Sequence, residues 1–322
     1  MRVLVIGGTV FIGRALVNEL ISAGHEVCVL HRGNHEPADL PTTPHLHVDR
    51  GEIASVVGDI DAFGPDVVCD NISLFASHAH AVVEALGERR YVVTSSMDIY
   101  RAYGALHAGT ASEPVPVDET SPVRDQRYPY RGQMPGMDDY DKLDVEDVYR
   151  AHGATVLRLP MVYGPHDGQR REEFILSRVR AGRARIPIGA GSWLGTRGFV
   201  YDIAQGIRMA VEAPHTLGEV FNLGESRTYP IGQWAKMILD AAGSSAELVR
   251  VPTAKLPPDL GITGNIAQHL LVDSSKAQEM LGWRDTDHGQ ALASSVAWHL
   301  ANPPEQAPAD FTADEEALAA AG

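Results

Sequence analysis

The sequence predicts an α/β protein built on a doubly wound, Rossmann-type parallel sheet. Three observations carry this. Short, continuous apolar runs alternate with helical periods over the first 165 residues, and such alternation with right-handed crossovers closes into a parallel sheet. A glycine-rich turn, Gly7-Gly8-Thr9-Val10-Phe11-Ile12-Gly13, joins the first run to the first helix. The 322 residues allow a second unit, since domains run to about 150 residues each.

Residues 2–6, Arg-Val-Leu-Val-Ile, form an apolar run without alternation, the pattern of a strand buried on both faces. An apolar-periodic helix follows over 11–23 and stops at Gly24, and residues 25–30 make the next strand. Further strands are expected at 45–48, 67–70, 91–95 and 155–159, with helices at 76–87 and 139–152. Beyond residue 165 the pattern changes. A helix is expected over 170–182, then a Gly-rich stretch over 189–198. The run from Gly198 enters a helix reaching about residue 213, and 218–224 is a strand between glycines. Residues 231–242 form an amphipathic helix and 254–270 a loop. Two short helices fall at 274–282 and 288–300. Residues 303–322 are rich in Pro, Ala and acids and read as a weakly held tail.

Composition narrows the function. The 44% hydrophobic and 21% charged residues suit an ordinary folded chain and argue against disorder. Twenty-seven basic and 42 acidic residues give a formal charge of −15, which weighs against a nucleic-acid partner. No apolar run approaches the about 18 residues of a membrane span, and the N-terminus lacks the plan of a signal peptide. Cys28 and Cys69 both sit in strand-like runs and read as small buried side chains, so a cytoplasmic location is expected. There is no His-Glu-x-x-His and no Cys cluster, so no catalytic metal is expected.

The glycine turn ends a strand and opens a helix, the setting in which such a turn holds a dinucleotide. Gly7 permits the tight turn, Gly13 permits close helix–strand packing, and the amides from Thr9 to Gly13 face a pyrophosphate. Val10 stands where the Gly-x-x-Gly-x-x-Gly pattern has its middle glycine, and Gly8 is expected to supply the missing freedom. The second strand ends in His31-Arg32-Gly33 without an acid. A carboxylate there would take the ribose 2′-hydroxyl, whereas Arg32 suits a 2′-phosphate, so NAD(P) is expected with a lean to NADP. Asp49 follows the third strand, where it can accept from an adenine amino group. His31, Arg50, Ile72 and Ser73 are expected to border the same crevice.

Several stretches together resemble the extended short-chain dehydrogenase/reductases of the NAD(P)-dependent epimerase/dehydratase group. They are the glycine turn, Thr94-Ser95-Ser96-Met97-Asp98-Ile99-Tyr100, residues 157–165, residues 218–224, residues 273–277 and Leu281-Gly282-Trp283. The Gly-Gly-Thr-x-Phe-Ile-Gly form also resembles an atypical branch that includes RNA-binding members. The resemblance implies a Rossmann domain over 1–165. A smaller substrate domain over 166–322 would be interleaved with it, since 198–224 would return to the sheet. It implies an oxidoreductase or isomerase that moves a hydride between a nicotinamide and a hydroxyl- or ketone-bearing small molecule, such as a sugar or nucleotide sugar. A homodimer formed through the helices at 76–87 and 139–152 is also implied.

In the family a Ser orients the substrate oxygen, a Tyr exchanges its proton, and a Lys four residues later holds the ribose and favours phenolate. Ser96 and Lys142 match. The residue four before Lys142 is Asp138, and Tyr140 lies two before it. Positions i and i+2 point about 200° apart on a helix. A helix starting near Tyr140 would deliver its phenol, or Tyr128 or Tyr130 would reach in from the preceding loop, or Asp138 would act as a carboxylate base. Met161 and Val162 match the backbone beside the nicotinamide amide. Asp98 and Arg197 are expected at the substrate, Arg197 at a diphosphate with help from Arg170 and Arg171, and Trp193 would stack on a flat substrate. The alternative expectation is a cofactor-binding member with little redox turnover, a sensor or interaction module; an RNA-associated role is a third expectation, set against the formal charge of −15.

Overall fold

The computed structural model describes residues 1–305 and 310–321. The chain begins with β1 (Arg2–Ile6), whose alternate residues enter opposite layers. Val3 and Val5 pack into one core, and Leu4 and Ile6 into another. A strand with two buried faces needs apolar residues at every position, which explains the unbroken run in the sequence.

The glycine turn leads to α1 (Phe11–Ser22), then β2 (Glu26–His31) and β3 (His45–His47). After α2 (Val57–Phe63) come β4 (Val67–Asp70), α3 (Ala76–Leu86), β5 (Tyr91–Ser96) and α4 (Arg101–Ala108). A long loop reaches α5 (Lys142–Ala151), followed by β6 (Thr155–Leu159) and β7 (Met161–Tyr163). The C-terminal half adds α6 (Glu173–Arg180), β8 (Arg185–Ile188), β9 (Arg197–Phe199), α7 (Val200–Glu212) and β10 (Val220–Asn222). It ends with α8 (Ile231–Ala241), β11 (Glu247–Arg250), α9 (Ser275–Met280), α10 (His288–Ala301) and α11 (Thr312–Ala319).

The central sheet has seven strands in the order β10-β6-β5-β4-β1-β2-β3, all parallel. The winding reverses between β1 and β4, so their C-terminal ends border the crevice where ligands of such sheets bind. Helices α1 and α7 pack together on one face, and α3 and α5 on the other. β10 pairs with β6, while β7 with β9 and β8 with β11 make two small parallel sheets.

Three expectations change. The helix expected from residue 139 starts at Lys142, because the Asp141 carboxylate accepts from Leu143 N at 2.9 Å and caps it there. Strands β7, β8, β9 and β11 and helices α2 and α4 are additional to the elements the sequence predicts. The tail expected to be weakly held carries α11, with Asp314, Ala317 and Leu318 buried. Arg178 holds Asp314 through a paired contact at 2.7 and 2.8 Å. Residues 306–309 and 322 of that segment lie outside the described residues. Among the described residues no helix is long and apolar enough to cross a membrane.

Candidate active site

Gly7 adopts φ +82°, the left-handed region that glycine enters without cost. A Cβ on Gly7 would lie 2.7 Å from Ile72, and one on Gly13 would lie 1.8 Å from the Gly7 carbonyl oxygen. These positions admit glycine alone. Gly8 does not supply the turn's freedom, since its φ is not positive. Its role is contact: a Cβ there would strike Val29 and Val17. Val10 is 55% exposed and borders the crevice. Among the described residues no side chain caps α1, and Phe11 opens it at φ +42°. The first-turn amides therefore remain free for an anion, and a non-glycine residue held in this region stores about 1–3 kcal/mol of strain.

The crevice behind this turn measures about 550 Å³. Gly7, Thr9, Val10, His31, Arg32, Asp49, Arg50, Ile72 and Leu74 border it. Arg32 is exposed and Ile72 is 46% exposed. Asp49 accepts from Gly51 N at 3.0 Å, so it also caps the short turn that follows β3. Arg50 borders the crevice and also braces it from within. It is buried and grips Asp70 at 2.9 and 3.0 Å and Ser73 Oγ at 2.7 Å. Burial pushes Asp70 up, but Arg50, Ser73 and Tyr149 together hold it at about 2. Ser73 is fully buried, so it braces the crevice floor and does not face the crevice.

A second cavity of about 550 Å³ shares Leu74 with the first. Ser96, Asp98, Tyr130, Tyr140 and Met161 line it, with Met97, Tyr103, Met134, Met137, Leu270 and Val272. The Tyr140 hydroxyl donates to Asp98 Oδ2 at 2.6 Å. Asp98 Oδ1 is buried and has no hydrogen-bond partner among the described residues. Burial raises the Asp98 carboxyl, and burial together with the Asp98 charge raises the Tyr140 phenol. One acidic proton is therefore held between them. Ser96 Oγ accepts from Asp98 N at 3.2 Å, which leaves its own proton free.

Tyr140 reaches this cavity because it precedes α5. Arg124 fixes that entry. It pairs with Asp141 at 2.7 and 3.1 Å and also donates to the Asp98 carbonyl at 3.1 Å. Burial raises Asp141, but Arg124 and the amides of Tyr128 and Leu143 hold it below the usual carboxylate range. No local pattern marks Arg124 as the partner of Asp141, 17 positions away.

Lys142 borders neither cavity. Its Nζ donates to the Ser73 and Thr94 carbonyls at 2.6 and 3.2 Å, and burial lowers it to about 8. Asp138 is exposed and accepts from Gly132 N at 2.8 Å, so it is no base for this site. Tyr130 lines the cavity with its ring 5.2 Å from that of Tyr140. Tyr128 lies beneath Arg131 instead. Val162 is buried, and its carbonyl accepts from Arg171 Nε at 2.7 Å. Arg197 is not placed for a diphosphate. It is buried over the Trp234 ring and donates to the Gly195 carbonyl at 3.0 Å. Trp193 is buried and donates to the Gln268 carbonyl. Arg170 donates to the Asn302 carbonyl, whereas Arg171 does line the cavity.

A parallel sheet with a glycine-cradled crevice at its switch point, opening towards a buried Asp-Tyr pair, defines a Rossmann-type protein of the extended short-chain class. Residues 3–224 match the model of the NAD dependent epimerase/dehydratase family, and the chain belongs to that family. It is 27% identical to the chloroplast stem-loop binding protein of 41 kDa b of Arabidopsis thaliana, over 98% of this chain and 84% of that protein. It is 25% identical to a 3-diazoavenalumate denitrifying reductase of Streptomyces sp, over 89% of this chain and 96% of that one. The fold matches UDP-glucose 4-epimerase from Bifidobacterium longum, solved with NAD+ and UDP, at TM-score 0.70 and 18% identity, covering 94% of this chain and 99% of that one. It also matches dTDP-glucose 4,6-dehydratase from Bacillus anthracis, solved with NAD, at TM-score 0.71 and 16% identity, covering 94% and 97%.

Proposed function

We propose that this chain is an NAD(P)-dependent reductase or epimerase acting on a hydroxyl or ketone carbon of a small molecule with a largely apolar body. The observation that carries this is the Asp98–Tyr140 hydrogen bond in the wall of a cavity that meets the glycine-turn crevice at Leu74. The dinucleotide fits the chain's own residues, because the Gly7 and Gly13 cradle is one that a Cβ would fill.

In this reading the free amides opening α1 hold the pyrophosphate and Arg32 takes a ribose phosphate, which favours NADP. Bound there, the nicotinamide supplies a carbon that takes or gives a hydride. Ser96 orients the substrate oxygen with its free proton. The Asp98–Tyr140 pair passes one proton to or from that oxygen. Lys142 acts from behind, fixing the Ser73 and Thr94 backbone between the two cavities. The methionines and aliphatic residues of the wall and the inward burial of Arg197 favour an aromatic or alicyclic substrate over a nucleotide sugar.

The test is consumption of NADPH and of NADH with a panel of aromatic and alicyclic ketones. Turnover with NADPH that falls steeply in Tyr140→Phe, and a shift towards NADH in Arg32→Glu, supports the reading. A second reading is a cofactor-binding member with little turnover. It is favoured by Tyr140 standing two residues, not four, before a Lys142 that borders neither cavity. Dinucleotide binding without turnover of any ketone would select it.

A further inference from the structure

We propose that His31, Glu36, His45 and His47 form a site for one divalent transition-metal ion of the zinc type, at the outer edge of the central sheet. His45 and His47 are two residues apart on the edge strand β3, so their side chains leave the same face. His31, at the end of β2, is the register partner of His47. Glu36 returns to this face from the connecting loop.

The donor atoms of all four residues lie within 4.8 Å of one another. His31 Nε2 is 2.8 Å from His45 Nδ1. Glu36 Oε1 lies 3.3 Å from His31 Nε2 and 3.8 Å from His45 Nδ1, and it contacts His47 Nε2. The rings of His45 and His47 both stand edge-on to that of His31, with centroids 5.0 and 4.8 Å away. A tetrahedral ion with bonds of about 2.1 Å separates its ligands by about 3.4 Å, so a separation of 4.8 Å closes by about 1.4 Å shared between two side chains. Three imidazole nitrogens and one carboxylate oxygen suit zinc, cobalt or nickel, whereas magnesium and calcium need more oxygen ligands.

Without the ion, Gly33 N donates to His31 Nδ1 at 3.2 Å, which leaves the ring proton on Nε2, shared with His45. Ligation at Nε2 moves that proton to Nδ1, and the exposed Gly33 amide turns to water. The ion would thereby pin the loop 32–44, which carries Arg32, Asn34 and His35, to the sheet edge beside the crevice. Sequence spacing hides the set, because its members are scattered over 31–47 and meet only through the β2–β3 pairing.

The test titrates Zn2+ into the chelator-treated full chain by calorimetry, and records the visible spectrum with Co2+. We expect one ion per chain and the intense bands of four-coordinate Co2+. Affinity falls by about 100-fold or more in the His45→Ala/His47→Ala double variant and falls clearly in Glu36→Gln, an exposed position. His80→Ala, on the exposed side of α3, retains uptake. Circular dichroism and Tm without metal show that each variant is folded. No uptake at micromolar Zn2+, or uptake unchanged in folded Glu36→Gln and in the double variant, overturns the proposal.

Discussion

The Tyr140 hydroxyl lies 2.6 Å from Asp98 Oδ2, and Lys142, two residues on, is bound instead to the Ser73 and Thr94 carbonyls. The phenol is therefore held protonated against a carboxylate, not drawn towards phenolate by a cation. This reverses the electrostatics expected of a Tyr paired with a Lys.

Tyr140→Phe removes the shared proton and leaves the ring in place. Turnover is expected to fall by about 10²–10⁴-fold with Tm nearly unchanged, and Asp98→Asn to fall comparably. Burial holds Asp98 above the usual carboxylate range, so activity that needs its ionised form declines on acidification at a pH above that range. Steady-state rates across pH check both points.

Asp141→Asn keeps an oxygen to cap α5 but removes the charge opposite Arg124. Breaking a buried pair costs on the order of 3 kcal/mol, measurable by urea unfolding. Asp141 is held below its ordinary value. Its contribution is therefore present at neutral pH and lost as pH falls below the unfolded carboxyl's value, so variant and wild type converge in acid.

Glu172 is raised by burial from 4.5 to about 7, with the Ser295 hydroxyl pulling the other way. Between those values the folded chain keeps a proton that the unfolded chain releases. The folded state loses stability as pH rises through about 7. Glu172→Gln retains an acceptor for Ser295 Oγ, which donates at 2.7 Å. It is expected to be more stable than wild type by on the order of 3 kcal/mol at pH 8, with the difference gone near pH 4. Tm measured at the two pH values checks this.

The parts legible in the sequence were those that local sterics and burial dictate. β1 reads directly because both faces are buried, and the turn reads because Gly7 and Gly13 tolerate no Cβ. Contacts between distant residues were not legible. The start of α5 depends on Arg124 reaching Asp141 from 17 positions away. Nothing local marks Arg50 as belonging to Asp70. An Ala- and acid-rich tail reads as solvated until Arg178 claims Asp314 across 136 positions. Tyr140 was a candidate from its neighbours alone, but its place in the cavity followed only from where the helix begins.

Whether the glycine turn grips a dinucleotide is read from the thermal shift with NADPH and NADH in wild type and Gly13→Ala. In wild type, Tm is expected to rise with cofactor concentration, at lower concentrations of NADPH than of NADH. No rise is expected in Gly13→Ala, whose Cβ would overlap the Gly7 carbonyl oxygen. No shift in wild type with either nucleotide at millimolar concentration, or an equal shift in a folded Gly13→Ala, would contradict that grip.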